Sequence, residues 1–174
     1  MQPNSSSEAT RLLRRIRRWI AVFIVGLVLS GVTAFPLVWE TGLLVQWCPT
    51  WAPAAMQSWL AHVHEALVVT GERYPFLAYG TDWLAFAHLV IALVFVGPWR
   101  DPVRNKWVIQ FGLLACLGVL PLALIAGPLR GIPLFWRLGD CCFGVLGALP
   151  LWLTLRWIGR LEGMTAQIEY SRKR

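Results

Sequence analysis

The sequence predicts an all-α fold, an integral membrane bundle of four transmembrane helices, and three observations carry that prediction. Of the 174 residues, 57% are hydrophobic and 14% charged, and the mean hydropathy is +0.57; a water-soluble domain of this size needs far more polar surface. Four apolar runs of about 20 residues each match a hydrocarbon core roughly 30 Å thick at a helical rise of about 1.5 Å per residue. Most of the 11 tryptophans, among them Trp19, Trp39, Trp83, Trp99, Trp107, Trp136 and Trp157, fall at the ends of those runs, where amphipathic rings seat at headgroup level.

Residues 1–18 read as a cytoplasmic tail, polar, without periodicity and so disordered through residue 10, and then carrying five arginines between Arg11 and Arg18. The transmembrane domain covers residues 19–160. Its first span runs over 19–39, and Gly26, Ser30 and Ala34 give it a stripe of small residues for close packing. A cleaved signal peptide is the rival reading of this run, since Val32, Thr33 and Ala34 place small residues near its end, but the run is longer than a usual signal core.

Residues 40–79 form the long outer loop. Within it Met56, Leu60, Val63 and Leu67 recur at spacings of three and four over Pro53 to Thr70, which predicts an amphipathic helix on the membrane surface, ended by Gly71 and Pro75. The second span, 80–99, leads through the basic turn Arg100–Lys106 into the third, 107–127, and the fourth occupies 140–159. Gly127 to Gly139 is interrupted by Pro128, Gly131 and Pro133, so residues 128–139 read as an apolar outer loop. Pro121 and Pro150 fall inside the third and fourth spans, where each frees a carbonyl and permits a kink. Residues 161–174 form a second cytoplasmic tail.

Of the 16 lysines and arginines, 13 lie in the N-terminal segment, the turn at 100–106 and the stretch from Arg156 onward, against 3 (Arg73, Arg130, Arg137) on the other side. Positive charge accumulates on the cytoplasmic side, so both termini are expected there, in what for a bacterium is the inner membrane with the long loop outside. The same pattern accounts for the net charge of +7 without nucleic acid, for which there is no signature.

Polar groups inside the spans are costly and concentrate toward the outer side. Asp82, His88, Arg130, Trp136, Arg137 and Asp140 are therefore the candidate ligand-binding residues. Asp82 and Asp140 are placed to cap helix N-termini and to pair with Arg130 and Arg137, while His88 suits a hydrogen bond between helices. Asp82 and His88 are six residues and so about 120° apart on a helix, and need a group from another segment to converge. His62 and Glu65, with His88 and Asp82, make a candidate metal set of imidazoles and carboxylates, although the spacing matches no standard motif. Cys48 can pair with Cys141 or Cys142 if the outer side is oxidising. Neither a Gly-rich phosphate loop nor a catalytic-triad order is present, so no reaction or cofactor is named.

The segments Tyr74 to His88, Gly97 to Asn105 and Ala126 to Arg137 resemble parts of small uncharacterised four-span bacterial integral membrane proteins. The resemblance covers about residues 74–150. It implies the fold and a bacterial origin, and brings no activity and no catalytic residue. The functional expectation is an accessory or binding protein whose partners, besides the bilayer, are an anionic lipid or ligand, another membrane protein or a second copy of the chain. A metal-binding protein or enzyme at the outer face is the alternative.

Overall fold

A computed structural model describes the backbone of residues 3–172 and the side chains of residues 7–166. Among the described residues the chain is helical throughout, with no strand. Four stretches, Ser7–Thr33, Pro75–Arg100, Lys106–Leu129 and Leu134–Ala166, are long and apolar enough to cross a membrane. The all-α, four-span class is the one the sequence predicts. The chain divides into two compact units, Met1–Val25 together with Leu93–Arg174, and Gly26–Ala92.

The first helix, α1 (Pro3–Thr33), begins within the segment expected to be an unstructured tail. Pro3 supplies a preset φ at its start, and the run of good helix formers from Glu8 onward extends the helix cooperatively from the apolar span. The first apolar run also stops short of Trp39. Pro36 can neither donate to the helical ladder nor tolerate a helical neighbour before it, so α1 ends at Thr33 and a separate helix, α2 (Leu37–Trp47), follows. The helix predicted from the Met56 to Leu67 stripe is α3 (Ala54–Arg73), which buries Leu60 and packs on α2. The long loop thus holds a helical hairpin rather than a lone surface helix.

A single 3₁₀ turn, Pro75–Leu77, leads into α4 (Ala78–Val94). In the unit Gly26–Ala92 α1 comes close to α4 at Gly31, where a Cβ would lie 2.9 Å from the Ala85 carbonyl and 3.2 Å from the His88 Cβ. The expected stripe of Gly26, Ser30 and Ala34 is not that contact, because Gly26 has open space around it.

The other unit holds α5 (Val96–Arg100), α6 (Lys106–Pro121) and α8 (Leu134–Arg172), with the short α7 (Gly127–Leu129) between. Pro121 breaks the i to i−4 pattern, and the chain absorbs the break as one π-helical turn, Leu122–Ala126, before α7. Pro128 falls in the first turn of α7, where its missing N–H costs nothing, and α8 starts directly after Pro133. Residues 128–139 are consequently a tight helical hairpin with Gly131 at φ +70° rather than a loop.

Ile16, Ile20, Phe95, Ile109, Leu151 and Ile158 are buried at the centre of this unit, and the Phe23 and Phe95 rings meet at 4.7 Å. Long apolar side chains elsewhere face outward, with Leu93 71%, Leu114 69% and Phe143 75% exposed, as required when the surrounding solvent is lipid. Because lipid is as apolar as these side chains, transfer from water does not hold the helices together, and close van der Waals contact must. Gly144 and Gly147 supply it by bringing α8 onto α6: added Cβ atoms would lie 2.7 Å from the Cys116 carbonyl and 2.9 Å from its sulfur.

The basic turn is pinned locally. Asp101 accepts from the Arg104 N–H at 3.0 Å, and the Asn105 amide donates to the carbonyls of Asp101 at 2.9 Å and Gly97 at 3.2 Å. From α1, Arg17 donates to the carbonyls of Trp99 at 3.1 Å and Arg100 at 3.0 Å, satisfying the open end of α5. Lys106 pairs with Glu162 at 2.7 Å; with both side chains partly exposed, this pair contributes about 0–1 kcal/mol.

Candidate functional site

The six candidate ligand-binding residues divide between the units. Asp82 and His88 belong to the unit Gly26–Ala92, whereas Arg130, Trp136, Arg137 and Asp140 belong to the other. His88 Nδ1 donates to the Leu84 carbonyl of its own helix at 2.8 Å, so its bond lies within α4 and not between helices as expected. The reason is spacing: Leu84 is four residues back, directly beneath the ring. Asp82 is the fifth residue of α4 and makes no hydrogen bond among the described residues, so it is not the expected cap. It lines an aromatic recess of about 300 Å³ with Phe35, Tyr79, Trp83 and Phe86.

On the hairpin, Asp140 is the seventh residue of α8, which begins at Leu134, and is past the position of a cap. Arg137 lays its aliphatic stem over Gly127, in space that any larger residue there would fill, and its Nε is buried without a partner. Arg130 is exposed on the turn. The ion-pair network expected of these charges is not formed within either unit, since the one ion pair among the described residues is Lys106 with Glu162.

On α3, His62 faces the Trp59 ring at 6.0 Å. The third histidine, His64, meets Thr41 Oγ1 at 3.1 Å and lies over Gly42, which ties α3 to α2. No three His, Cys, Asp or Glu among the described residues come together in a way that could hold a metal, so His62, Glu65, His88 and Asp82 are not gathered. All four cysteines are free thiols, and Cys48 is not bonded to Cys141 or Cys142.

A polar concavity lies instead at the basic end of the unit Met1–Val25 with Leu93–Arg174. Arg11, Arg14, Arg15 and Arg18 share one face of α1, because offsets of three, four and seven residues return to within about 60° of Arg11 and so span a sector about 100° wide. Arg160, Trp157 and Met164 on α8 form the opposite wall, and Glu8 and Trp19 close the two ends of the α1 wall. The groove is open along one side and has a volume of about 540 Å³. The Trp19 and Trp157 rings meet at 6.5 Å, and the Arg15 guanidinium lies 5.2 Å above the Trp157 ring.

Arg17 donates to the end of α5, Lys106 pairs with Glu162, and Arg11 Nε donates to the Ser7 carbonyl of its own helix at 3.4 Å; none of the five groove arginines is in an ion pair among the described residues. Like charges three and four residues apart on a helix repel, and the four such pairs on α1 together cost about 1–2 kcal/mol at low ionic strength. An anion seated between them removes that cost and accepts from the guanidinium forks.

The arginines of α1 are conspicuous in the sequence, where positive charge beside an apolar run sets topology. The sequence does not show that Trp157 and Arg160, about 140 positions later, close them into a groove. No family model matches the chain, and comparison with curated proteins and with solved structures finds no match.

Proposed function

We propose that this chain is a non-enzymatic membrane protein, a binding or accessory component with both termini in the cytoplasm, that holds an anionic lipid headgroup on its cytoplasmic side. The observation that carries this reading is the groove of five arginines without carboxylate partners, bordered by Trp19 and Trp157. The tryptophans mark headgroup depth, and basic pockets at this depth attract the anionic lipids of the cytoplasmic leaflet. The 13 to 3 distribution of lysine and arginine supports the orientation. This reading assigns the ligand-binding surface to the groove of the unit Met1–Val25 with Leu93–Arg174, whereas the candidate outer residues divide between the two units.

The test is lipid recovery from protein purified in mild detergent. Each basic residue near an anionic surface contributes about 1 kcal/mol, so replacing Arg14, Arg18 and Arg160 by Gln weakens anionic-lipid retention by about 3 kcal/mol, roughly 100-fold. Arg130→Gln with Arg137→Gln is the comparison and leaves retention unchanged. If the hairpin variant loses the lipid and the groove variant keeps it, the site is at the outer face and this reading is wrong.

A further inference from the structure

The groove is longer and more highly charged than one phosphate requires. Arg11 to Arg18 spans seven residue steps of α1, a rise of about 10 Å. A phosphodiester carries one negative charge shared over two non-bridging oxygens, and bidentate guanidinium forks saturate them quickly. A headgroup with a single phosphate thus leaves arginines at one end of the stripe without a counter-charge. Glu8 lies at the solvent end, so an anion is confined to the part of the groove between Arg11 and Trp19. At the other end Trp19 and Trp157 present apolar ring surface where the apolar span begins, which accommodates a glycerol backbone and the first methylenes of an acyl chain. The volume of about 540 Å³ is within the usual range for a small-molecule site.

We infer that the occupant of this groove is a lipid carrying two phosphate groups, one held toward Arg11 and Arg14 and the other toward Arg15, Arg18 and Arg160. This rests on the anionic-lipid reading above and deepens it. Arg15 is already oriented by the Trp157 ring beneath it, so part of the cost of ordering a long side chain is met before the ligand arrives. The apolar end separates a lipid from a free diphosphate, which has nothing to place there.

The experiment uses the full chain in phosphatidylcholine nanodiscs doped with either cardiolipin, which has two phosphates, or phosphatidylglycerol, which has one, at equal total negative charge. Binding is read by native mass spectrometry. The expected result is at least a tenfold preference for cardiolipin, lost in Arg18→Gln with Arg160→Gln and reduced in Arg18→Lys with Arg160→Lys, which keep charge but lose the fork. The lysine variant also guards against misfolding as the cause of a loss. Equal binding of the two lipids at matched charge overturns the two-phosphate inference and leaves the anionic-lipid reading standing, whereas no preference for either over phosphatidylcholine overturns both. Inorganic pyrophosphate is the third arm. Displacement of bound cardiolipin by millimolar pyrophosphate overturns the assignment to a lipid, and failure to displace supports it.

Discussion

At Gly144 the backbone of α8 approaches α6 so closely that a single added carbon would lie 2.7 Å from the Cys116 carbonyl oxygen. A backbone oxygen in a helix cannot rotate away as a side chain can, so Gly144→Val must push the helices apart. The expected cost is about 1–3 kcal/mol, a fall of about 2–10 °C in the thermal midpoint in detergent. Gly118→Ala is the contrasting case: with no neighbouring atom within 4 Å of its added carbon, the gain in helix propensity leaves stability unchanged or up to about 1 kcal/mol higher. Equal losses at the two positions would refute the contact. Such positions were only half legible in the sequence. A glycine inside a helix signals that something comes close, but its face is set by a partner helix the sequence does not display. On α1 the stripe Gly26, Ser30, Ala34 looked suitable, and the contact is made by Gly31, one residue and about 100° away from Ser30.

Among the elements, the α2 and α3 hairpin shows what periodicity reveals and what it hides. The stripe from Met56 to Leu67 was enough to find α3, because an amphipathic helix must repeat its apolar residues near every 3.6 positions. α2 was concealed, since Leu37 to Trp47 is apolar on most sides and continues the composition of α1; Pro36 was the visible break. Nor does periodicity show what joins the two helices, which is His64, bonded to Thr41 and seated over Gly42. Removing the imidazole in His64→Ala forfeits a hydrogen bond of about 1 kcal/mol and opens space above Gly42. Hydrogen exchange in α2 and α3 should then quicken by about fivefold or more, with α6 and α8 unaffected, because opening of one helical pair is a local event. An unchanged rate in the hairpin would mean that the histidine does not hold it.

For the whole molecule, charge asymmetry and the groove make one connected claim. The arginines that orient a chain in the membrane are the ones that stay on the side where anionic lipids are concentrated, so an orientation signal is already placed to act as a binding site once α8 supplies the second wall. If the topology were reversed, the groove would face the leaflet poorer in its proposed ligand. Cysteine labelling decides the matter, because Cys48 follows α2 in the segment expected outside and is not tied up in a disulfide. With the other three cysteines replaced by alanine, a membrane-impermeant maleimide should label Cys48 in intact spheroplasts. Val103→Cys in a Cys48→Ala background probes the basic turn, where Val103 is exposed, and should label only after permeabilisation. The opposite pattern would invert the protein and remove the basis for placing the groove at the cytoplasmic leaflet, even if the groove still bound anionic lipid in detergent. Agreement of both probes would establish that the five arginines of the groove face the cytoplasm, where the proposed lipid binding and the topology would depend on the same side chains.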